Sequence, residues 1–147
     1  MSHVVVRLGG GRFALPMDAV AEVGRTPAVT RVPGTPSWVS GVVNWRGRIL
    51  GILDLRELLG VERADAGEGR LVVLQHHGTA VGVVAERVDG VIEVDRETLE
   101  PVLLTLRAEA GSLLEGQLTD EEGPVGVVDA DAVFALRRSA SAARRAG

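Results

Sequence analysis

The sequence predicts an all-β protein, mainly β with a few short helices, built as two small, strongly bent barrels of about five strands each. Three observations predict this fold class. Short aliphatic runs rich in Val alternate with turns rich in Gly, Pro and charged residues. The second half of the chain repeats the first. Only 3% of the 147 residues are aromatic, so the core must be aliphatic and largely β-branched.

Four β-hairpins are predicted in chain order, each from two apolar runs that flank a turn. The first connects residues 4–8 to residues 13–15 through a glycine-rich turn. The second turns at Arg46-Gly47, the third at residues 76–79 and the fourth at residues 120–123. Two short helices are predicted, one directly after the second hairpin and one directly after the fourth.

The internal repeat is the main organisational signal. A shift of 75 residues places Gly41 on Gly116 and Asp54 on Asp129, with aliphatic residues coinciding around them. Each aspartate follows a predicted strand and precedes a predicted helix, which is the position of an N-cap. We therefore interpret Asp54 and Asp129 as structural caps. Because two symmetry-related carboxylates are also a catalytic pattern, a small aspartate-dependent hydrolase remains an alternative.

The domain organisation follows from the repeat. Its halves span about residues 4–63 and 70–138, and each is too small for a sheet sandwich of its own. We predict one domain over residues 1–138, in which two barrels share a hydrophobic core and can exchange strands. Residues 139–147 lack apolar periodicity and are predicted to form a flexible tail.

Composition argues against several functional classes. The net charge of −4 and the scarcity of aromatic residues disfavour nucleic-acid binding. There is no Cys, and His76 and His77 are adjacent on a predicted hairpin, so no metal, cofactor or catalytic site is predicted. The sequence shows neither a signal peptide nor an apolar run of membrane-spanning length, which predicts a cytoplasmic protein without direct membrane insertion.

The second hairpin turn carries the strongest candidate for a binding surface. Trp45, Arg46 and Arg48 surround Gly47, and Trp and Arg are the residue types most enriched at interface hot spots. Trp45 and Arg48 are therefore candidate interface residues. The alternative is that Trp45 covers the edge of the core while the arginines are merely solvated.

The segment GVVNWRGRILGILDLR, from Gly41 to Arg56, resembles the signature of the CheW family of bacterial chemotaxis coupling proteins. That signature is a Gly-Val-x-Asn-Leu-Arg-Gly turn, an aliphatic strand and Asp-Leu, and the flanking segments extend the resemblance over about residues 4–136. The resemblance implies two SH3-like five-stranded barrels and no catalysis. It also implies an adaptor that joins chemoreceptors to the histidine kinase CheA. Trp45 departs from the pattern, because the family usually has an aliphatic residue there.

By position, the resemblance implies receptor contacts at Val20, Glu22, Gly41 and Arg46, in a groove that grips the tip of the receptor's cytoplasmic hairpin. It further implies end-to-end docking of a barrel on the CheA regulatory domain, weak self-association, and recruitment to membrane-bound receptor arrays. A CheW-like scaffold of a non-flagellar pathway, such as pili motility or development, is the alternative that the sequence does not separate.

Overall fold

The structure is a computed structural model that describes residues 1–61, 69–102 and 113–146, without the side chains of residues 141–146. The connection between the two repeats, residues 62–68, lies outside this description. The described residues form ten strands, two α-helices and two short 3₁₀ turns. The strands are β1 (Ser2–Leu8), β2 (Gly11–Pro16), β3 (Val20–Arg25), β4 (Val39–Trp45), β5 (Arg48–Leu53), β6 (Arg70–His76), β7 (Thr79–Ala85), β8 (Arg87–Glu93), β9 (Leu114–Asp120) and β10 (Gly123–Val128). The helices are α1 (Leu55–Leu59) and α2 (Ala130–Ala146), and the 3₁₀ turns are Met17–Ala19 and Arg96–Thr98.

The strands form two five-stranded sheets. Sheet 1 has the order β8-β1-β2-β10-β9, and sheet 2 has the order β3-β6-β7-β5-β4. The first hairpin of each repeat therefore lies in the sheet of the other repeat. Parallel pairing of β2 with β10 and of β5 with β7 connects each exchanged hairpin to its host sheet. This architecture confirms the predicted fold class.

Both repeats follow one plan: a hairpin, a single strand, a second hairpin and a helix. All four predicted hairpins are present. The hairpin pattern did not include the single strands β3 and β8, because their sequences mix charged residues and glycine with valine. They form because each pairs along most of its length with an aliphatic strand, β3 with β6 and β8 with β1.

Helix α2 corrects the sequence analysis, which ended this helix at residue 138 and expected a tail from residue 139. The helix continues to Ala146. Ala and Arg dominate residues 137–146, and both are strong helix formers. Ala140 is also buried against the core, so packing extends the helix beyond its predicted end.

One hydrophobic core lies between the two sheets. Phe13 and Leu15 of sheet 1 belong to the same buried cluster as Val72 and Leu74 of sheet 2 and Phe134 of α2. Each sheet also has a smaller cluster of its own. Because the largest cluster takes side chains from both sheets, the two barrels form one packed unit.

Candidate protein-binding site

The β4–β5 turn determines the shape of the candidate site. Arg46 and Gly47 have positive φ angles of 52° and 77°, the pattern of a type I′ hairpin turn. The Asn44 side-chain oxygen accepts a hydrogen bond from the Gly47 amide at 3.0 Å and so fixes the turn. The turn holds Arg46 at the free end of the hairpin, where 71% of its side chain is exposed.

Glu22 of β3 binds two side chains of this turn, those of Trp45 and Arg46. Its Oε2 accepts a hydrogen bond from Trp45 Nε1 at 2.5 Å and one from Arg46 Nε at 3.1 Å. Its Oε1 accepts from Arg46 Nη2 at 2.9 Å, so the arginine is bidentate. Strands β3 and β4 are the two outer strands of sheet 2. The three side chains therefore join the open edges of the sheet and close the barrel at this end.

The electrostatics keep this cluster ionised. The hydrogen bonds from Arg46 and then from Trp45 lower the pKa of Glu22, and Glu22 in turn raises the pKa of Arg46. The guanidinium carbon also lies 5.8 Å from the centroid of the Trp45 ring, within cation–π range. Exposed ion pairs add little to stability, so the cluster mainly fixes the orientation of Arg46.

Apolar side chains flank the cluster along the chain. Val20, at the start of β3, is half-buried against the shared core. Met17 and Val23 on either side of it are 38% and 43% exposed, and the sequence analysis did not single them out. Val23 is an apolar residue on the outer face of an edge strand, a pattern that indicates a contact surface. It could not be recognised from the sequence because β3 itself was not predicted.

Gly41 is buried in β4 and lies against the backbone of Thr30. Thr30 and Val42 exchange two backbone hydrogen bonds of 2.8 Å each. Gly41 has a φ of 144°, and a Cβ at this position would lie only 2.2 Å from the Thr30 carbonyl oxygen. The close approach of Thr30 therefore requires glycine. The Gly41 backbone lines a groove of about 180 Å³ between the β4–β5 hairpin and α2.

The predicted site residues thus divide into a cluster and separate positions. Glu22, Trp45 and Arg46 lie together, whereas Val20 faces the core and Gly41 lies below Thr30. Trp45 packs against the smaller apolar cluster of sheet 2 and donates its N–H to Glu22. Its role as an interface residue stays a prediction. Arg48 pairs with Trp45 across the hairpin and is exposed.

The two aspartates have the geometry of N-caps. Asp54 Oδ1 accepts hydrogen bonds from the amides of Arg56 at 3.0 Å and Glu57 at 3.4 Å. Asp129 Oδ1 accepts one from the Asp131 amide at 3.0 Å. Within the part of the chain that the structure describes, no group of three or more His, Asp or Glu could hold a metal ion.

Together, the fold and the cluster define a module of two fused β-barrels in which an ion pair orients an exposed arginine at the end of a hairpin. Residues 2–138 match the model of the family described as CheW-like domain. The chain belongs to the CheW family.

Similar proteins agree with this assignment. The chain is 34% identical to Protein PilI of Pseudomonas aeruginosa over 122 residues, which is 82% of this chain and 68% of that protein. It is 25% identical to the chemotaxis protein CheW of Bacillus subtilis over 140 residues, 95% of this chain and 90% of that one. The crystal structure of scaffolding protein TtCheW from Thermoanaerobacter tengcongensis has a similar fold, with a TM-score of 0.76 and 24% identity. That match covers 87% of this chain and 83% of that one.

These findings establish the functional class. The chain is a non-catalytic adaptor of chemotaxis-type signal transduction, and the hydrolase alternative is set aside. Among the helices that the structure describes, none has the length and hydropathy needed to cross a membrane.

Proposed function

We propose that the Glu22–Arg46 pair is the centre of the surface that binds the cytoplasmic hairpin tip of a chemoreceptor. The observation that carries this proposal is the bidentate pair itself. Its hydrogen bonds use Nε and Nη2 of Arg46, and most of the side chain is exposed. Nη1 is left to donate charge-assisted hydrogen bonds to carboxylates or to the free carbonyls at a helical tip.

Exposed apolar side chains supply the second part of this surface. Met17 and Val23 lie on either side of Val20 on the segment that also carries Glu22. Apolar area that a receptor helix covers there contributes about 25 cal/mol per Å². The surface therefore has two parts. The apolar contact supplies binding free energy, and the arginine of fixed orientation determines how the receptor helix is aligned on the surface.

The remaining partner assignments rest on family membership. The CheA regulatory domain docks end to end on one barrel, and the adaptor is a cytoplasmic protein recruited to membrane-bound receptor arrays. Weak self-association through exposed barrel edges also stays a prediction. A scaffold of a non-flagellar pathway is a second candidate, since the relatives include Protein PilI as well as proteins named CheW.

The receptor surface can be tested by charge reversal. Co-sedimentation with a receptor cytoplasmic fragment and CheA measures receptor binding, and the phosphorylation rate of CheA in the same mixture measures kinase activation. We expect Arg46→Glu to weaken receptor binding at least about tenfold, since loss of one charge-assisted contact costs roughly 1.5–3 kcal/mol. Arg70→Glu makes the same change of charge at another exposed position of sheet 2 and is the matched control.

A charge-swapped variant separates barrel closure from partner contact. Glu22→Arg combined with Arg46→Glu restores an ion pair across the barrel edge but presents a carboxylate to the partner. We expect its melting temperature to stay close to that of the native chain while receptor binding remains lost. If Arg46→Glu leaves receptor binding and kinase activation unchanged in a folded protein, the assignment of this surface is wrong.

A further inference from the structure

We propose that Arg48 and Arg137 form a binding site for a carboxylate group, in a small cavity that Trp45 also lines. The cavity has a volume of about 140 Å³ and lies between the β4–β5 hairpin, the turn after β6 and helix α2. Its polar and aromatic lining residues are Trp45, Arg48, Gly78, Thr79 and Arg137.

The charges around this cavity are unbalanced. Across the described residues, neither Arg48 nor Arg137 forms an ion pair with a carboxylate. The cavity lining contains no Asp or Glu, although the chain has 20 acidic residues. By contrast, Arg12 and Arg87 bind aspartates on sheet 1. Two arginines that line one cavity without a counter-charge repel each other, and a bound anion offsets that repulsion.

The position of Arg137 on α2 favours a defined site over a solvated surface. Its helix is held on the core by Phe134 and Ala140, which are buried on either side of it along the chain. Arg137 itself is only partly exposed. A side chain that starts from a fixed helix and is partly enclosed loses less entropy on binding than a fully exposed one.

The size and chemistry of the cavity select the ligand class. Drug-sized ligands and cofactors occupy pockets of roughly 300–1,000 Å³, so this cavity takes a group the size of a side chain. The planar fork of a guanidinium matches the two oxygens of a carboxylate. Thr79 adds a hydroxyl donor, and the Trp45 ring forms an apolar wall.

The site is distinct from the proposed receptor surface and goes beyond it. Trp45 contributes to both, because its indole N–H binds Glu22 and the residue also lines the cavity, whose other lining residues do not include Glu22 or Arg46. The carboxylate has two possible sources: a small free anion, or an Asp, Glu or C-terminal carboxylate of a protein partner. Both share the same recognition chemistry.

The test is an NMR titration of the full chain at constant ionic strength, with sodium chloride as the reference salt. The two probes are sodium acetate and a capped peptide that contains a single glutamate. The chain has two Trp, so the Trp45 indole signal needs to be told apart only from that of Trp38. We expect a saturable shift of the Trp45 signal that weakens at least about tenfold in Arg48→Gln and in Arg137→Gln, and stays unchanged in Arg70→Gln.

The outcomes separate the two sources. Saturation by acetate supports the site with a small anion as ligand, and saturation by the peptide alone supports the site with a partner's carboxylate as ligand. The proposal is overturned if neither probe saturates in the native chain. It is also overturned if a folded Arg48→Gln/Arg137→Gln double variant responds as the native chain does.

Discussion

Replacing Gly41 with alanine distinguishes a role in the fold from a role in partner contact. The new Cβ would lie 2.2 Å from the Thr30 carbonyl oxygen and 2.8 Å from its carbonyl carbon, so the backbone must move apart. That movement breaks the two hydrogen bonds that Thr30 and Val42 exchange, at a net cost of about 1 kcal/mol each. The φ of 144° adds about 1–3 kcal/mol for a residue other than glycine. We expect the free energy of unfolding to fall by about 3–5 kcal/mol.

Urea-induced unfolding, followed by tryptophan fluorescence, measures this loss directly. Gly51→Ala is the matched control in the same hairpin, because its Cβ would meet no atom within 4 Å and its φ lies outside the positive region. We expect that control to change stability by no more than about 0.5 kcal/mol. If Gly41→Ala unfolds at the same urea concentration and with the same slope as the native chain, the argument from close approach is wrong. If it is stable but does not bind receptor, Gly41 belongs to the binding surface itself.

Three further predictions concern single side chains. Burial lowers the pKa of His3 from its ordinary 6.5, so the unfolded chain takes up the proton first. The stabilisation that His3 provides to the folded state is therefore complete above pH 6.5 and is lost as the pH falls through the lowered pKa of the folded state. Urea midpoints measured against pH should therefore fall less steeply on the acid side in a His3→Gln variant. Alanine at Asp54 or at Asp129 should each lower the free energy of unfolding by about 1 kcal/mol, read from urea unfolding, while asparagine should not. The hydrogen bonds from Arg46 and then from Trp45 lower the pKa of Glu22, and Trp45→Phe removes the second of these donors. The pKa of Glu22 should therefore rise toward its ordinary value, as measured by an NMR titration of the carboxyl carbon. An unchanged pKa would mean that the indole does not bind Glu22.

The parts of the fold that could be predicted are those that local sequence controls. Aliphatic runs around Gly-rich turns identify hairpins, and an aspartate before a helical segment identifies a cap, because both depend on residues close in sequence. Strand β3 was missed because Ala21, Glu22 and Gly24 are poor strand formers on their own. Strand exchange between the barrels was expected as a possibility, but which hairpin joins which sheet was beyond the sequence. Alternation shows which face of a strand is buried, but not which strand it pairs with.

The same distinction between local and long-range contacts applies to the candidate site. The turn at Trp45 and Arg46 was predicted from local signals, and the structure places both at the hairpin end. Glu22 was linked to them only by family resemblance, since its contact with the turn requires the two outer strands of sheet 2 to come together. Gly41 was assigned a receptor contact only from its position in the family pattern. In the structure its nearest neighbour is the backbone of Thr30, which explains the glycine without a partner.

The exchanged hairpins relate this fold to a domain-swapped dimer. A chain with one repeat alone would have a hairpin but no complete sheet for it to join. Two copies of that chain could each donate the hairpin to the other and so complete two barrels as a domain-swapped homodimer. In the present chain both repeats lie in one polypeptide, so the exchange is intramolecular. The two barrels are therefore thermodynamically inseparable, and once the two copies are joined their surfaces are free to diverge, one toward an oriented arginine and the other toward the arginine–aspartate pairs of sheet 1.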